Sequence, residues 1–172
     1  PVTTEYNNSK YQIEETIKAA KILSQKTQIL WLWPNIDAGS DIFSKEIRRF
    51  REKNLTIKNI LFYKNFTPEE YATILKNCSC IVGNSSSGIR ESAFLGIPTV
   101  NIGTRQHLRE TSKNVKHVPY SSKKIIAAVN YQKNKKYKKD TLYGNGNAGK
   151  KIAKILSKCK LDIKKSLNYI KN

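Results

Sequence analysis

The stretch Gly83-Asn84-Ser85-Ser86-Ser87-Gly88-Ile89-Arg90-Glu91 holds the densest chemistry of the chain. An apolar run, Cys80-Ile81-Val82, leads into it, and a helix-like pattern from Ile89 to Leu95 leads out. A strand that breaks at small residues and restarts as a helix leaves backbone N–H groups without partners. Those donors and the positive end of the helix dipole converge on one spot, which suits a phosphate. Gly83 and Gly88 permit a tight turn and the close approach of a ligand. Ser85, Ser86 and Ser87 add hydroxyls and can cap the helix. Glu91, about one turn inside the helix, stands where a carboxylate could accept two hydroxyls of a ribose. The same spacing also fits a plain strand-to-helix loop with a serine N-cap and Glu91 as half of a capping box. Spacing alone leaves both readings open.

A second loop of the same kind follows. Gly96-Ile97-Pro98-Thr99-Val100-Asn101-Ile102-Gly103-Thr104-Arg105-Gln106 reads as a helix exit, a strand and a glycine-ended loop with a basic residue. In a parallel sheet both loops lie at the carboxyl ends of the strands, where open α/β sheets bind ligands. From there Arg105 could reach an anion held at residues 85–87; a solvated loop arginine is the alternative.

The elements that must position these loops alternate between helix and strand. Helical patterns are predicted over 9–25, 40–53, 67–77, 89–95, 121–131 and 148–157, with strands over 28–33, 57–63, 80–82, 99–102 and 115–118. Thr67-Pro68-Glu69-Glu70 is an N-cap, a first-turn proline and early acids. Strands separated by helices of this length imply a parallel, doubly wound, Rossmann-like α/β sheet. Residues 1–157 form the expected domain, and 158–172 a Lys-rich tail or final amphipathic helix. Pro1 to Glu5 has the character of a loop that follows a strand. In a doubly wound sheet of order 3-2-1-4-5-6 that first strand is central, so the expected sheet lacks its first strand, between strands 28–33 and 80–82.

The composition fits one globular domain: 172 residues, 38% hydrophobic and few glycines and prolines. No apolar run is long enough to span a bilayer, and no signal-peptide pattern is visible. The expectation is a cytoplasmic protein without membrane attachment. Cys78, Cys80 and Cys159 lack metal-ligand spacing and read as small buried apolar residues in a reducing compartment. The formal charge of +19 concentrates in Lys133–Lys139 and Lys158–Lys171. It favours anionic ligands, but no nucleic-acid motif accompanies it, and specific nucleic-acid binding is not expected. His107 and His117 have no partner at catalytic or metal spacing.

Five segments occur in order: Pro1-Val2-Thr3-Thr4-Glu5, Pro34 to Ser40, Gly83 to Glu91, Asn101 to Gln106 and Tyr143 to Ala148. Together they resemble the C-terminal domain of the UDP-N-acetylglucosamine 2-epimerase family, over residues 1 to 157. The Asn-Ser-Ser-Ser-Gly-Ile-Arg-Glu and Gly-Thr-Arg-Gln forms resemble its hydrolysing branch, which feeds sialic-acid-type sugar synthesis. The resemblance implies the C-terminal half of a two-Rossmann-domain (GT-B-like) enzyme, with the nucleotide sugar in the cleft between halves. It implies that Ser85 and Ser86 contact the diphosphate, Glu91 the ribose and Arg105 phosphate charge. It further implies that the backbone at Phe66 meets the uracil and that Asn35 is a polar contact near the nucleotide; core packing and a turn, respectively, are the alternatives.

The same resemblance implies elimination of UDP across C1 and C2 of the sugar and then addition of water. The catalytic carboxylates would lie on an N-terminal Rossmann-like domain, with a histidine directly before Pro1. The expected catalytic set in this chain is therefore empty and the isolated chain inactive, with no metal or other cofactor, and the full-length enzyme a homo-oligomer. A nucleotide-sugar domain of a two-Rossmann-domain glycosyltransferase and a non-catalytic nucleotide-binding module remain the alternatives. Arg90 is expected in a structural ion pair.

Overall fold

A computed structural model describes residues 1–160. The possible amphipathic helix in the Lys-rich tail falls mainly on 161–172, outside the described residues.

The chain opens with a 3-10 stretch, Thr3–Asn8, and continues into α1 (Ser9–Leu23). There follow β1 (Ile29–Leu32), α2 (Ser40–Lys53), β2 (Ile60–Tyr63), α3 (Pro68–Asn77) and β3 (Ile81–Gly83). A 3-10 turn, Ser86–Gly88, leads to α4 (Glu91–Leu95), β4 (Thr99–Ile102), β5 (Val115–Val118), α5 (Ser122–Gln132) and α6 (Ala148–Leu156). Every strand pairing is parallel, in two separate ladders: β1 with β2, and β3-β4-β5. The predicted alternation and the break between the strands at 28–33 and 80–82 are both observed.

Local chemistry explains the sharpest boundaries. Thr67 accepts from the Glu70 N–H at 3.3 Å, while the Glu70 carboxylate accepts from the Thr67 N–H at 2.9 Å, a complete capping box with Pro68 at the first helical position. The start of α5 is capped from another helix. The Glu15 carboxylate of α1 accepts the Ser122 N–H at 2.7 Å, and its hydrogen bond with Lys18, then that with Ser122, holds its pKa down to about 2.

The core lies on one face of the β3-β4-β5 sheet. Val100, Ile102 and Val118 pack there with Ala19 of α1 and Ile125, Ala128 and Val129 of α5. On the other face the 3-10 turn comes so close that a methyl on Gly88 would stand 3.1 Å from the Thr99 methyl. Gly88 is therefore explained by packing, whereas Gly83, with φ +141°, takes the backbone shape that the turn needs. Helix α1 packs against both α2 and α5 and so bridges the two ladders.

Burial differs between the strands in a telling way. All four residues of β4 are buried, as in a sheet covered on both faces. By contrast Leu30 and Leu32 of β1 and Val82 of β3 are 38–41% exposed, although both strands are apolar. The lysine run at 133–139 lies partly on aromatic rings: the Lys139 ammonium is 3.5 Å from the Phe94 ring centre and that of Lys135 4.7 Å from Tyr131. Cys78 and Cys80 are free and half-buried, and burial pushes the Cys80 thiol up to about 12, which makes it a poor nucleophile; Cys159, expected to be buried, is exposed, because it lies beyond the end of α6.

Candidate functional site

The parallel strands bring the loops after β1, β3 and β4 to one edge, and two contacts, Arg105 with Asp37 and Gln106 with Asn84, tie these loops together. After β1, Pro34 to Gly39 carries Asn35, which is exposed, and Asp37. After β4, Gly103 to Gln106 carries Arg105, whose guanidinium donates to the Asp37 carboxylate at 3.1 Å. Each side chain of this ion pair keeps about a third of its surface open, 35% and 36%. Arg105 thus already faces a carboxylate and retains free donors toward solvent. The next residue, Gln106, is buried and donates from Nε2 to the Asn84 carbonyl at 2.7 Å, which joins the β4 loop to the serine loop. Thr104 hydrogen-bonds Glu5, and so binds the opening 3-10 stretch to the same edge.

The serine loop is shaped by its own hydroxyls. Ser85 is the N-cap, and its Oγ accepts from the Ser87 N–H at 3.4 Å. The chain then turns helically, with the Gly88 N–H on the Ser85 carbonyl and the Arg90 N–H on that of Ser86. Tyr71 of α3 reaches the Ser87 hydroxyl at 2.6 Å. Ser85 is exposed and Ser86 half-buried, so both remain reachable from solvent.

Glu91 opens α4 and is exposed. Its carboxylate makes no hydrogen bond among the described residues, so the capping-box alternative is not observed: Ser85 caps the turn without it. Arg90 is exposed and forms no ion pair among the described residues, against the expectation of a structural pair. Phe66, in the loop after β2, is half-buried with its ring 4.9 Å from that of Tyr63, so its side chain packs and only its backbone remains for a ligand.

The structure therefore joins the loops of Asn35, Ser85, Ser86 and Arg105 directly. Phe66 is linked to them less directly, through α3 and its Tyr71. Asp37, Tyr71 and Gln106 are the residues that sequence reasoning did not assign. Asp37 had a signal, an acid in a loop at the same sheet edge as a lone arginine. Tyr71 and Gln106 had none, because their partners lie 16 and 22 residues away.

Parallel strands alternating with helices, and a polar junction of loops at their carboxyl edge, define a Rossmann-like class of α/β domain. Residues 1–157 match the sequence profile of the UDP-N-acetylglucosamine 2-epimerase family, and the chain belongs to that family. It is 32% identical over 157 residues to a hydrolysing UDP-N,N'-diacetylbacillosamine 2-epimerase of Legionella pneumophila, covering 91% of this chain and 40% of that protein. It is 32% identical over 130 residues to a UDP-N-acetylglucosamine 2-epimerase of Neisseria meningitidis, covering 75% of this chain and 32% of that one. The UDP-GlcNAc 2-epimerase of Methanocaldococcus jannaschii has the same fold, with a TM-score of 0.68 at 21% identity over 91% of this chain and 44% of its own. Its complex with UDP-GlcNAc and UDP superposes with a TM-score of 0.66 at 22% identity over 86% and 41%. The chain thus spans well under half the length of these relatives.

Proposed function

We propose that this chain is the UDP-binding part of a hydrolysing 2-epimerase that converts UDP-N-acetylglucosamine and water into N-acetylmannosamine and UDP. The observation that carries the reading is the tied junction of three loops, with Arg105 and the exposed Ser85 beside it and Glu91 without a hydrogen-bond partner among the described residues. A capped turn with its hydroxyls and N–H groups suits a diphosphate, and a guanidinium adds charge-assisted hydrogen bonds. An unpaired, exposed carboxylate beside that turn suits vicinal ribose hydroxyls. Phe66 offers its backbone to the base, and Asn35 a polar side chain at the β1 end of the cleft.

In the proposed reaction the C1–O bond of the sugar breaks with its electron pair leaving on UDP, while a base takes the C2 proton. Water then adds across the resulting C1–C2 double bond, its oxygen to C1 and a proton to the opposite face of C2. The residues of this chain hold the leaving diphosphate, and Arg105 offsets the charge that develops on it. The carboxylates that move protons belong to the remainder of the protein, whose relatives are more than twice as long as this chain. The same remainder supplies the strand between β1 and β3, where the half-exposed Leu30, Leu32 and Val82 leave two open apolar edges.

Incubating the intact protein with UDP-N-acetylglucosamine in D2O tests this. Free UDP with free N-acetylmannosamine deuterated at C2 is expected. A product that retains UDP would overturn the hydrolysing assignment. UDP release that needs an acceptor would favour a glycosyltransferase, and binding without turnover a non-catalytic module.

A further inference from the structure

Gln106 is the one buried residue in the stretch 104–110, 3% exposed among neighbours open to solvent. Buried glutamine in an exposed loop needs a reason, because burial of its amide is costly without partners. Its Nε2 donates to the Asn84 carbonyl at 2.7 Å, across 22 residues. A peptide group is planar, with C=O and N–H pointing opposite ways. Holding the Asn84 oxygen therefore also fixes the direction of the Ser85 N–H, the first donor of the serine turn. On its other side Gln106 is bonded to Arg105, whose guanidinium is held by Asp37. The Gln106 backbone carbonyl in turn accepts the Arg109 N–H at 3.2 Å, which closes the following turn, while the side-chain Oε1 is buried with no partner among the described residues.

We infer that Gln106 is a positioning residue that sets Arg105 and the Ser85 N–H in register for a diphosphate. It touches no ligand itself; it locks two anion-binding groups from different loops to one spacing. The inference rests on the reading of Arg105 as a diphosphate contact. It predicts that loss of the Gln106 amide weakens ligands with phosphates and spares the nucleoside.

The test is a titration of UDP and of uridine into the intact protein and its variants. Gln106→Met keeps the volume and removes the amide; Gln106→Glu keeps the shape and replaces the donor by an acceptor facing the Asn84 oxygen. For Gln106→Met, about tenfold weaker UDP with uridine changed less than about twofold is expected, and a larger UDP loss for Gln106→Glu. Combined with Arg105→Ala, Gln106→Met should cost less than about threefold more, because the two act through one contact. Equal losses for UDP and uridine, or losses that multiply with Arg105→Ala, would overturn the inference and leave Gln106 a packing residue. Weakened UDP in Arg105→Ala with none in either Gln106 variant would overturn it alone. Unchanged UDP affinity in Arg105→Ala would overturn the reading of the site, and the inference with it.

Discussion

Gly103→Ala should damage the β4 loop by an amount that can be worked out in advance. Gly103 has φ +74°, and a methyl there would lie 2.1 Å from Cζ of Tyr120 and 2.2 Å from its hydroxyl oxygen. The left-handed backbone costs an alanine about 1–2 kcal/mol. The ring must also move. Tyr120 packs against the Val100–Ile125 core, its hydroxyl is buried, and burial followed by the nearby Glu5 charge pushes its pKa up to about 12. Displacing it adds about 1–3 kcal/mol, for a total of about 2–5 kcal/mol. Urea denaturation of the wild type and variant reads the sum. In a Tyr120→Ala background the clash is absent, and only the backbone share of about 1–2 kcal/mol should remain. A loss below about 1 kcal/mol in the wild-type background, or equal losses in both backgrounds, would refute the steric argument.

Three further outcomes follow from single contacts. Arg105→Ala should weaken UDP at least tenfold more than uridine, read by calorimetry, since a guanidinium–phosphate pair contributes about 1.5–3 kcal/mol; equal losses would remove Arg105 from the diphosphate. Glu15→Ala should cost about 1–2 kcal/mol through the lost cap on α5. Because the folded-state pKa of Glu15 is lowered from 4.5 to about 2, that contribution is present in full above 4.5 and fades as pH falls toward 2, so the denaturation midpoints of wild type and variant should converge there. Leu108, 93% exposed with φ +70°, holds a conformation that favours glycine, so Leu108→Gly should raise stability by about 0.5–1 kcal/mol without changing UDP affinity; a lower midpoint in urea would mean that its side chain packs.

What was legible in the sequence was local. The bounds of α2, β4 and β5 were read to the residue, and α3 started where Thr67 and Pro68 placed it, because patterning and caps act within a few residues. The strands at 28–33 and 57–63 came out shorter, since only Ile29–Leu32 and Ile60–Tyr63 form a ladder, and strand ends depend on the partner. The loop before the helix read over 89–95 holds a 3-10 turn capped by Ser85, and the helix itself is the five-residue Glu91–Leu95, ended by Gly96. The loops that carry Asn35, Ser85, Ser86 and Arg105 were legible from their residue types and their place after strands. Their ties were not, because Arg105 to Asp37, Gln106 to Asn84 and Glu15 to Ser122 join residues 68, 22 and 107 positions apart, beyond any local period.

The central claim is that this edge of the sheet binds UDP, with Glu91 on the ribose. Titrating UDP into the intact wild-type protein and its Glu91→Gln variant, with thermal melting recorded on both, tests it most directly. The account predicts UDP binding weakened by about one to two powers of ten with the melting temperature unchanged, because the Glu91 carboxylate is exposed and has no protein hydrogen bond among the described residues. Unchanged UDP affinity, above all with a lowered melting temperature, would contradict it and return Glu91 to a purely structural role.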